Sequence, residues 1–363
     1  MSRHDSHPVG SHGLVVEPET VEDLVARTWR DLTWDSVSIP EQGMDHAVAK
    51  LHGVSSSEGE LADMIPETVV VRVPYTEAYR VQAPLESAVV AQLTKLRLAA
   101  ARAEYEGFDA TEDAATDNRI ADTVRVPGTV RQSYVRGTFA TDQPLMLTMQ
   151  TEVRGGPLTA EVWETLGDED RQWAASQLGG MLAGMRRLDP DLPPVRKVES
   201  WWKDGAATSE LNSTPRSLPG KFALMKRRAP VFLEPNISGE EMEVVREIFA
   251  EVDALIRRPH QQRCLTHSDL YSTHMLWDPQ GGIGVIDFSD MTVGDPALDY
   301  AHFSDISPEL AGMVLEAAQR AGAPLQGERE ELLHRAEIYK KWDNVFLLID
   351  HFRTGMSPRI SLL

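Results

Sequence analysis

The sequence predicts an α+β protein of two lobes, a smaller N-terminal one built on a twisted antiparallel sheet with one helix and a larger, mainly helical C-terminal one. Three observations predict it. The chain has 363 residues, enough for one large or two ordinary domains. Up to about residue 150, short apolar runs of strand length stand between turn formers. Beyond residue 158, apolar residues recur instead at three- and four-residue steps, the period of a helix face.

In chain order, MSRHDSHPVGSHG is polar and turn-rich, and residues 1–25 read as a mobile tail. Residues 26–152 then form the first lobe with its linker, and residues 153–363 the helical lobe. Val37 to Ile39, Ala47 to Leu51, Val69 to Val73 and Leu145 to Met149 are the predicted strands. Pro84 to Leu98 places Leu85, Val89, Leu93 and Leu96 on one face, so a single helix covers the sheet. Gly53 to Pro66 and Tyr105 to Arg119 lack apolar periodicity and read as exposed insertions. Asp168 to Leu188, with Trp173, Leu178, Met181, Leu182, Met185 and Leu188 in register, is a core helix that stops at Asp189-Pro190. Glu240 to Arg258, Pro308 to Ala321 and Arg329 to Phe352 are further helices, the last with Ile338, Trp342, Val345, Phe346 and Ile349 facing inward. Between them lies one strand-like island, from Cys264 through Phe288.

Composition removes several classes of function. A formal net charge of −20 repels a polyanion, so nucleic acid is a poor partner and a cation a good one. No apolar run reaches the roughly 18 residues of a membrane span, and a lone Cys264 excludes intrachain disulfides and Cys-rich zinc sites. A monomer in the reducing cytoplasm is the expectation. Cys264 itself reads as a small core residue beside Leu265. There is no G-x-x-x-x-G-K-[ST], H-E-x-x-H, C-x-x-C or G-x-S-x-G, and no repeat of 20 to 50 residues.

The chemistry concentrates in LTHSDLYSTHMLWDPQGGIGVIDFSDMTVGDPALDYAHF, Leu265 to Phe303. Asp269 precedes His274 by five residues, and the DPQGG turn leads into an apolar strand that delivers Asp287 at its end. Two carboxylates and an imidazole can therefore converge. Phosphoryl transfer needs a group that orients or accepts the proton of the attacking hydroxyl, together with ligands for the cation that neutralises the phosphates. Asp269 suits the first task and His274 with Asp287 the second, since imidazole nitrogen and carboxylate both bind divalent cations. For His267, hydrogen bonding that holds the loop is favoured over contact with substrate.

This spacing resembles the H-R-D-x-x-x-x-N and D-F-G segments of protein kinases. With Gly294-Asp295-Pro296 and Asp299 following, the island looks more narrowly like the aminoglycoside phosphotransferase superfamily, in particular its aminoglycoside 2''-phosphotransferase and macrolide phosphotransferase branches, where histidine replaces asparagine at the position of His274. The resemblance implies a protein-kinase-like two-lobed fold. It implies Asp269 as catalytic base, His274 and Asp287 as Mg²⁺ ligands, and Gly294 to Asp299 as a structural clamp. ATP or GTP would be the donor, lying between the lobes, and a small-molecule hydroxyl the acceptor, of an aminoglycoside or macrolide antibiotic. Metabolite kinases of choline, homoserine or sugar-amine type and a non-catalytic nucleotide-binding scaffold share the fold.

In the first lobe, Val69 to Pro74 resembles the strand that presents a phosphate-binding lysine, with Arg72 in its place, and Glu86 matches the ion-pair glutamate. Leu147 to Val153 resembles the segment joining the lobes, so Gln150, Thr151, Glu152 and Val153 would meet the purine, and Gly155-Gly156 would end the linker. Two departures stand out. Pro40 to Asp45, the expected phosphate loop, has one glycine, and Met185 to Leu188 lacks the Leu-His pair of many relatives. Trp201-Trp202 reads equally as pocket lining or core, and Asp290, Glu309 and Asp343 either meet a polycationic acceptor or form solvated surface.

Overall fold

The computed structural model describes residues 18–40, 46–57, 65–74, 82–107, 124–136, 144–189, 191–198, 218–257, 264–323, 328–355 and 359–362. The chain forms two compact units. One takes the described residues up to Ala91 together with Pro127–Glu152; the other takes Gln92–Val126 and Val153–Leu363. Among the described residues no helix is long and apolar enough to cross a membrane.

The first unit is built on a five-stranded antiparallel sheet in the order β2-β3-β5-β7-β6, from β2 (Ser36–Ser38), β3 (His46–His52), β5 (Thr68–Pro74), β6 (Thr129–Val135) and β7 (Leu145–Thr151). Strict alternation splits its two faces. Ala47, Ala49 and Leu51, Val69, Val71 and Val73, and Leu145, Leu147 and Met149 enter one apolar core. The intervening Val48 and Lys50, Val70 and Arg72, and Thr148 and Gln150 take the opposite face.

Helix α1 (Pro18–Thr28) closes the apolar side, burying Val21, Leu24 and Val25. Residues 18–25 of the expected tail are thus helical, while residues 1–17 lie outside the described residues. Spacings of three and four residues give α1 an apolar stripe that the sheet buries. Asp31, just after it, receives two bonds from the Arg131 guanidinium at 2.8 and 2.7 Å and one from Ser56 Oγ at 2.6 Å. The bonds from Arg131 hold its carboxyl far below the usual range against the opposing effect of burial. The expected loop from Gly53 is partly ordered, since Val54 is core and β4 (Ser55–Ser56) pairs with β1 (Leu32–Thr33). Helix α2 (Gln82–Gly107) buries Leu85, Glu86, Val89 and Leu93. Residues 41–45 of the expected phosphate loop and residues 108–119 of the second insertion lie outside the described residues.

Beyond Val153 the second unit continues with β8 (Gly156–Pro157) and the short α3 (Ala160–Thr165), capped by the Thr159 side chain. It is organised around α4 (Asp168–Arg187), whose Ala174, Ala175, Leu178, Leu182 and Met185 are buried. A Cβ at Gly179 would stand 2.5 Å from Ala317 Cβ, so α4 and α7 (Leu310–Arg320) approach closely there. Helices α5 (Leu218–Phe232), α6 (Gly239–Ile256) and α8 (Arg329–Thr354) complete the helical part. Ser238 and Glu241 form a reciprocal capping box at the start of α6. Two small antiparallel pairs carry the island: the hairpin β10 (Met275–Asp278) with β11 (Gly282–Val285), and β9 (Cys264–Thr266) with β12 (Thr292–Gly294). Gly282 has φ +69, and a side chain there would collide with the Gln177 amide at 2.2 Å. That amide is needed in place, because Gln177 Oε1 accepts the Ile283 N–H at 2.6 Å and so pins the hairpin to α4. Arg125 braces the same turn through Asp278 at 3.1 Å and the Gly282 carbonyl at 2.6 Å.

Candidate active site

The loop after β9 and the end of β11 bring Asp269, His274 and Asp287 together. Tyr271 N–H donates to the Asp269 carbonyl at 3.0 Å and His274 N–H to the Tyr271 carbonyl at 2.9 Å, so the loop folds into consecutive tight turns. The His274 ring then returns onto Asp269: Nδ1 lies 2.8 Å from the Asp269 carbonyl oxygen and 3.1 Å from Oδ2. In the neutral ring, with Nδ1–H donating, the other nitrogen carries the lone pair; in the protonated ring it bears a proton that a bound cation would displace. That nitrogen, Nε2, is 4.0 Å from Asp287 Oδ2. Asp287 stands in the left-handed region, φ 61, where the chain turns sharply out of β11.

Electrostatics tie the three into one unit. Burial opposes a charged His274, but hydrogen bonds to Asp269 and the charges of Asp269 and Asp287 outweigh it and raise its pKa to about 10. Burial likewise pushes the Asp269 carboxyl up, and the His274 bond and charge more than reverse this, leaving it below the usual range. Asp269 is thus an ionised carboxylate, able to orient or accept a hydroxyl proton.

The supports of the loop come from the following segment. Ser268 has φ 67, an uncommon setting for a residue with a side chain. Its N–H donates to Asp299 Oδ1 at 2.9 Å, and its hydroxyl meets Thr266 Oγ1 at 2.7 Å. Burial raises the Asp299 carboxyl to about 6. Fully buried Asp295 accepts from Arg335 Nε at 2.9 Å, Tyr339 O–H at 3.1 Å and Ala297 N–H at 3.0 Å, fixing the Gly294 to Asp299 segment to α8. His267 is fully buried and donates from Nε2 to the Ile286 carbonyl at 3.2 Å, so it links the loop to the strand end that bears Asp287. Desolvation lowers its pKa to about 4.

Sequence reasoning missed the contacts gathered around Tyr271. Its O–H donates to Asp343 Oδ2, and its ring stacks on His302 with centroids 3.8 Å apart. Asp343, weighed above as solvated surface or acceptor contact, is instead enclosed by Lys221 at 3.0 Å and His302 Nε2 at 3.5 Å. No local signal marks this, because the partners come from α5, α8 and the turn after Tyr300. Glu309 accepts from Trp163 Nε1 at 3.3 Å. Trp201 and Trp202 lie outside the described residues.

In the first unit, Arg72 and Glu86 meet at 2.6 Å, both buried. His46 Nδ1 faces the same guanidinium at 3.5 Å, a neighbour sequence reasoning did not single out. Gln150 is buried on the sheet face that carries Arg72. Thr151 Oγ1 accepts the Gly128 N–H at 2.8 Å, and Glu152 pairs with Lys50 at 2.8 Å. Val153, in the second unit, packs on Gly284, where a Cβ would come within 2.1 Å of it.

Among the described residues no cluster of three or more His, Cys, Asp and Glu side chains is arranged to hold a metal ion. His274 Nε2 and Asp287 Oδ2, 4.0 Å apart, offer a divalent cation one nitrogen and one oxygen donor.

Known proteins share this arrangement of elements. A curated viomycin phosphotransferase of Streptomyces vinaceus is 28% identical over 184 residues, 49% of this chain and 56% of that protein, so the match spans little more than half of the relative's length. A wild-type aminoglycoside 2'-phosphotransferase-IIIa solved with GDP superposes with a TM-score of 0.63 at 15% identity, covering 94% of both chains. The macrolide 2'-phosphotransferase MphH of Brachybacterium faecium gives 0.54 at 20% identity, covering 93% of this chain and 94% of that one. These structures share the fold, a kinase-like one with an antiparallel sheet in the N-terminal part and a mainly helical C-terminal part. The sequence pattern of the phosphotransferase enzyme family, APH, matches residues 66–333. The chain belongs to that family.

Proposed function

We propose that the protein transfers the γ-phosphoryl group of ATP or GTP to a hydroxyl of a cationic antibiotic, an aminoglycoside or macrolide, in the cytoplasm where the nucleotide is supplied. Asp269 orients the acceptor hydroxyl and takes its proton as the new O–P bond forms and the nucleoside diphosphate leaves. His274 holds Asp269 through Nδ1 and presents Nε2 beside Asp287, and these two residues would hold magnesium. Bound there, the metal supplies neutralisation of the charge on the triphosphate. Arg72, kept in place by Glu86, would meet the donor phosphates, and Gln150 to Val153 the purine. Positioning and charge neutralisation supply the rate, so no covalent enzyme intermediate is required.

The observation that carries this reading is the Asp269–His274–Asp287 constellation, with contacts of 3.1 and 4.0 Å, on a chain of this family. The charge of −20 favours a cationic acceptor. The named relatives act, by their names, on viomycin, aminoglycosides and macrolides.

A coupled assay of diphosphate release tests it, with ATP and GTP run separately against aminoglycosides, macrolides, viomycin and amino alcohols. Acceptor-dependent turnover on an antibiotic is expected, and Asp269→Ala should lower kcat about a thousandfold or more while nucleotide binding persists. Wild-type turnover in Asp269→Ala would remove the base assignment. Turnover only on amino alcohols would make the protein a metabolite kinase.

A further inference from the structure

Tyr271 occupies the turn between the proposed base and the proposed metal ligand. Three contacts fix its side chain: the O–H bond to Asp343, the stack on His302 at 3.8 Å and 26°, and an edge-to-face contact with the His274 ring at 6.3 Å and 89°. The first two partners are themselves immobilised. Lys221 Nζ lies 3.0 Å from Asp343 Oδ1. His302 Nδ1 lies 3.1 Å from Asp305, which Lys340 holds at 2.6 Å. Helices α5 and α8 and the turn around His302 thus converge on one phenol ring.

A loop tether alone would need only the hydroxyl bond. The ring has a further consequence, because the His274 imidazole is pinned at Nδ1 by Asp269 and still able to turn about that anchor unless something lies against it. Tyr271 supplies that surface. We propose that Tyr271, clamped by Asp343 and His302, is a positioning residue that sets the ring plane of His274 and so aims Nε2 at the side where Asp287 stands. Its kinetic consequences rest on the phosphotransferase reading; its effect on the His274 ring does not.

The test uses full-length Tyr271→Phe, Asp343→Asn and the double variant. Residues that orient metal ligands typically change affinity or activity about 10- to 100-fold when replaced. Each variant should therefore lower kcat about tenfold or more with the nucleotide KM within about twofold, and raise the Mg²⁺ concentration for half-maximal rate several-fold. The double variant should be less impaired than the sum of the two singles, since both act on the Tyr271–Asp343 bond, which Asp343→Asn weakens along with the Lys221 and His302 contacts. Independently of turnover, the imidazole ¹H–¹⁵N signals of His274, assigned by their loss in His274→Asn, should move in both single variants without any ligand. Unchanged His274 signals with only a lower melting temperature would overturn the proposal and reduce Tyr271 to a tether. Should Asp343→Asn fail to fold, Tyr271→Phe, which keeps the ring volume, decides alone. Should the wild type show no phosphotransferase activity, the His274 signals still decide the positioning role while the function fails separately.

Discussion

Arg72 and Glu86 illustrate how much a single buried pair can cost to disturb. Both side chains are out of solvent and 2.6 Å apart. Removing Glu86 leaves the guanidinium in a cavity lined by His46, Ala83, Thr148 and Gln150. Glu86→Ala should lower stability by about 3 kcal/mol, whereas an apolar pair replacing both residues should lose far less. Urea unfolding of the two variants measures the difference. His267 makes the corresponding argument for pH. Burial depresses its pKa from 6.5 to about 4, so the unfolded chain takes up the proton first. Its contribution is complete above pH 6.5 and is lost as the pH falls toward 4. Urea midpoints between neutral and mildly acidic pH should fall in the wild type and fall less steeply in His267→Gln.

At the scale of elements, the contact between α4 and α7 offers a test of packing. A methyl group on Gly179 would stand 2.5 Å from Ala317 Cβ and 2.6 Å from the Ala318 backbone nitrogen, so there is no room for one more carbon. Gly179→Ala should cost about 1–3 kcal/mol, read as a drop in urea midpoint. Much of this architecture is legible in the chain itself. The strands β3, β5 and β7 follow from short apolar runs flanked by turn formers, and α4 and α8 from stripes long enough to be unambiguous. The convergence of Asp269, His274 and Asp287 was legible because Asp269 and His274 sit in one turn and a single hairpin returns Asp287 to them. Helix α1 was overlooked although Val21, Leu24 and Val25 have helical spacing, because a polar leader masks so short a stripe. The enclosure of Asp343 could not be read at all: its partners Lys221 and His302 are remote in sequence, and only the fold gathers them.

For the molecule as a whole, Cys264 is a built-in reporter. It is the chain's one thiol, buried on β9, and desolvation raises its pKa to about 12. Labelling by an aromatic disulfide at neutral pH should be slower than in denaturant by at least about a hundredfold, and its rate should track opening of the second unit. Rapid labelling of the native protein would contradict the burial of β9. In the first unit the corresponding exposure risk lies on the apolar face of the sheet. Since α1 screens the apolar sheet residues that Val21, Leu24 and Val25 cover, shortening the protein to begin at Trp29 would bare a greasy plate to water. Such a truncated product should precipitate on expression, so fusion partners and purification handles belong ahead of Pro18, never in place of the helix.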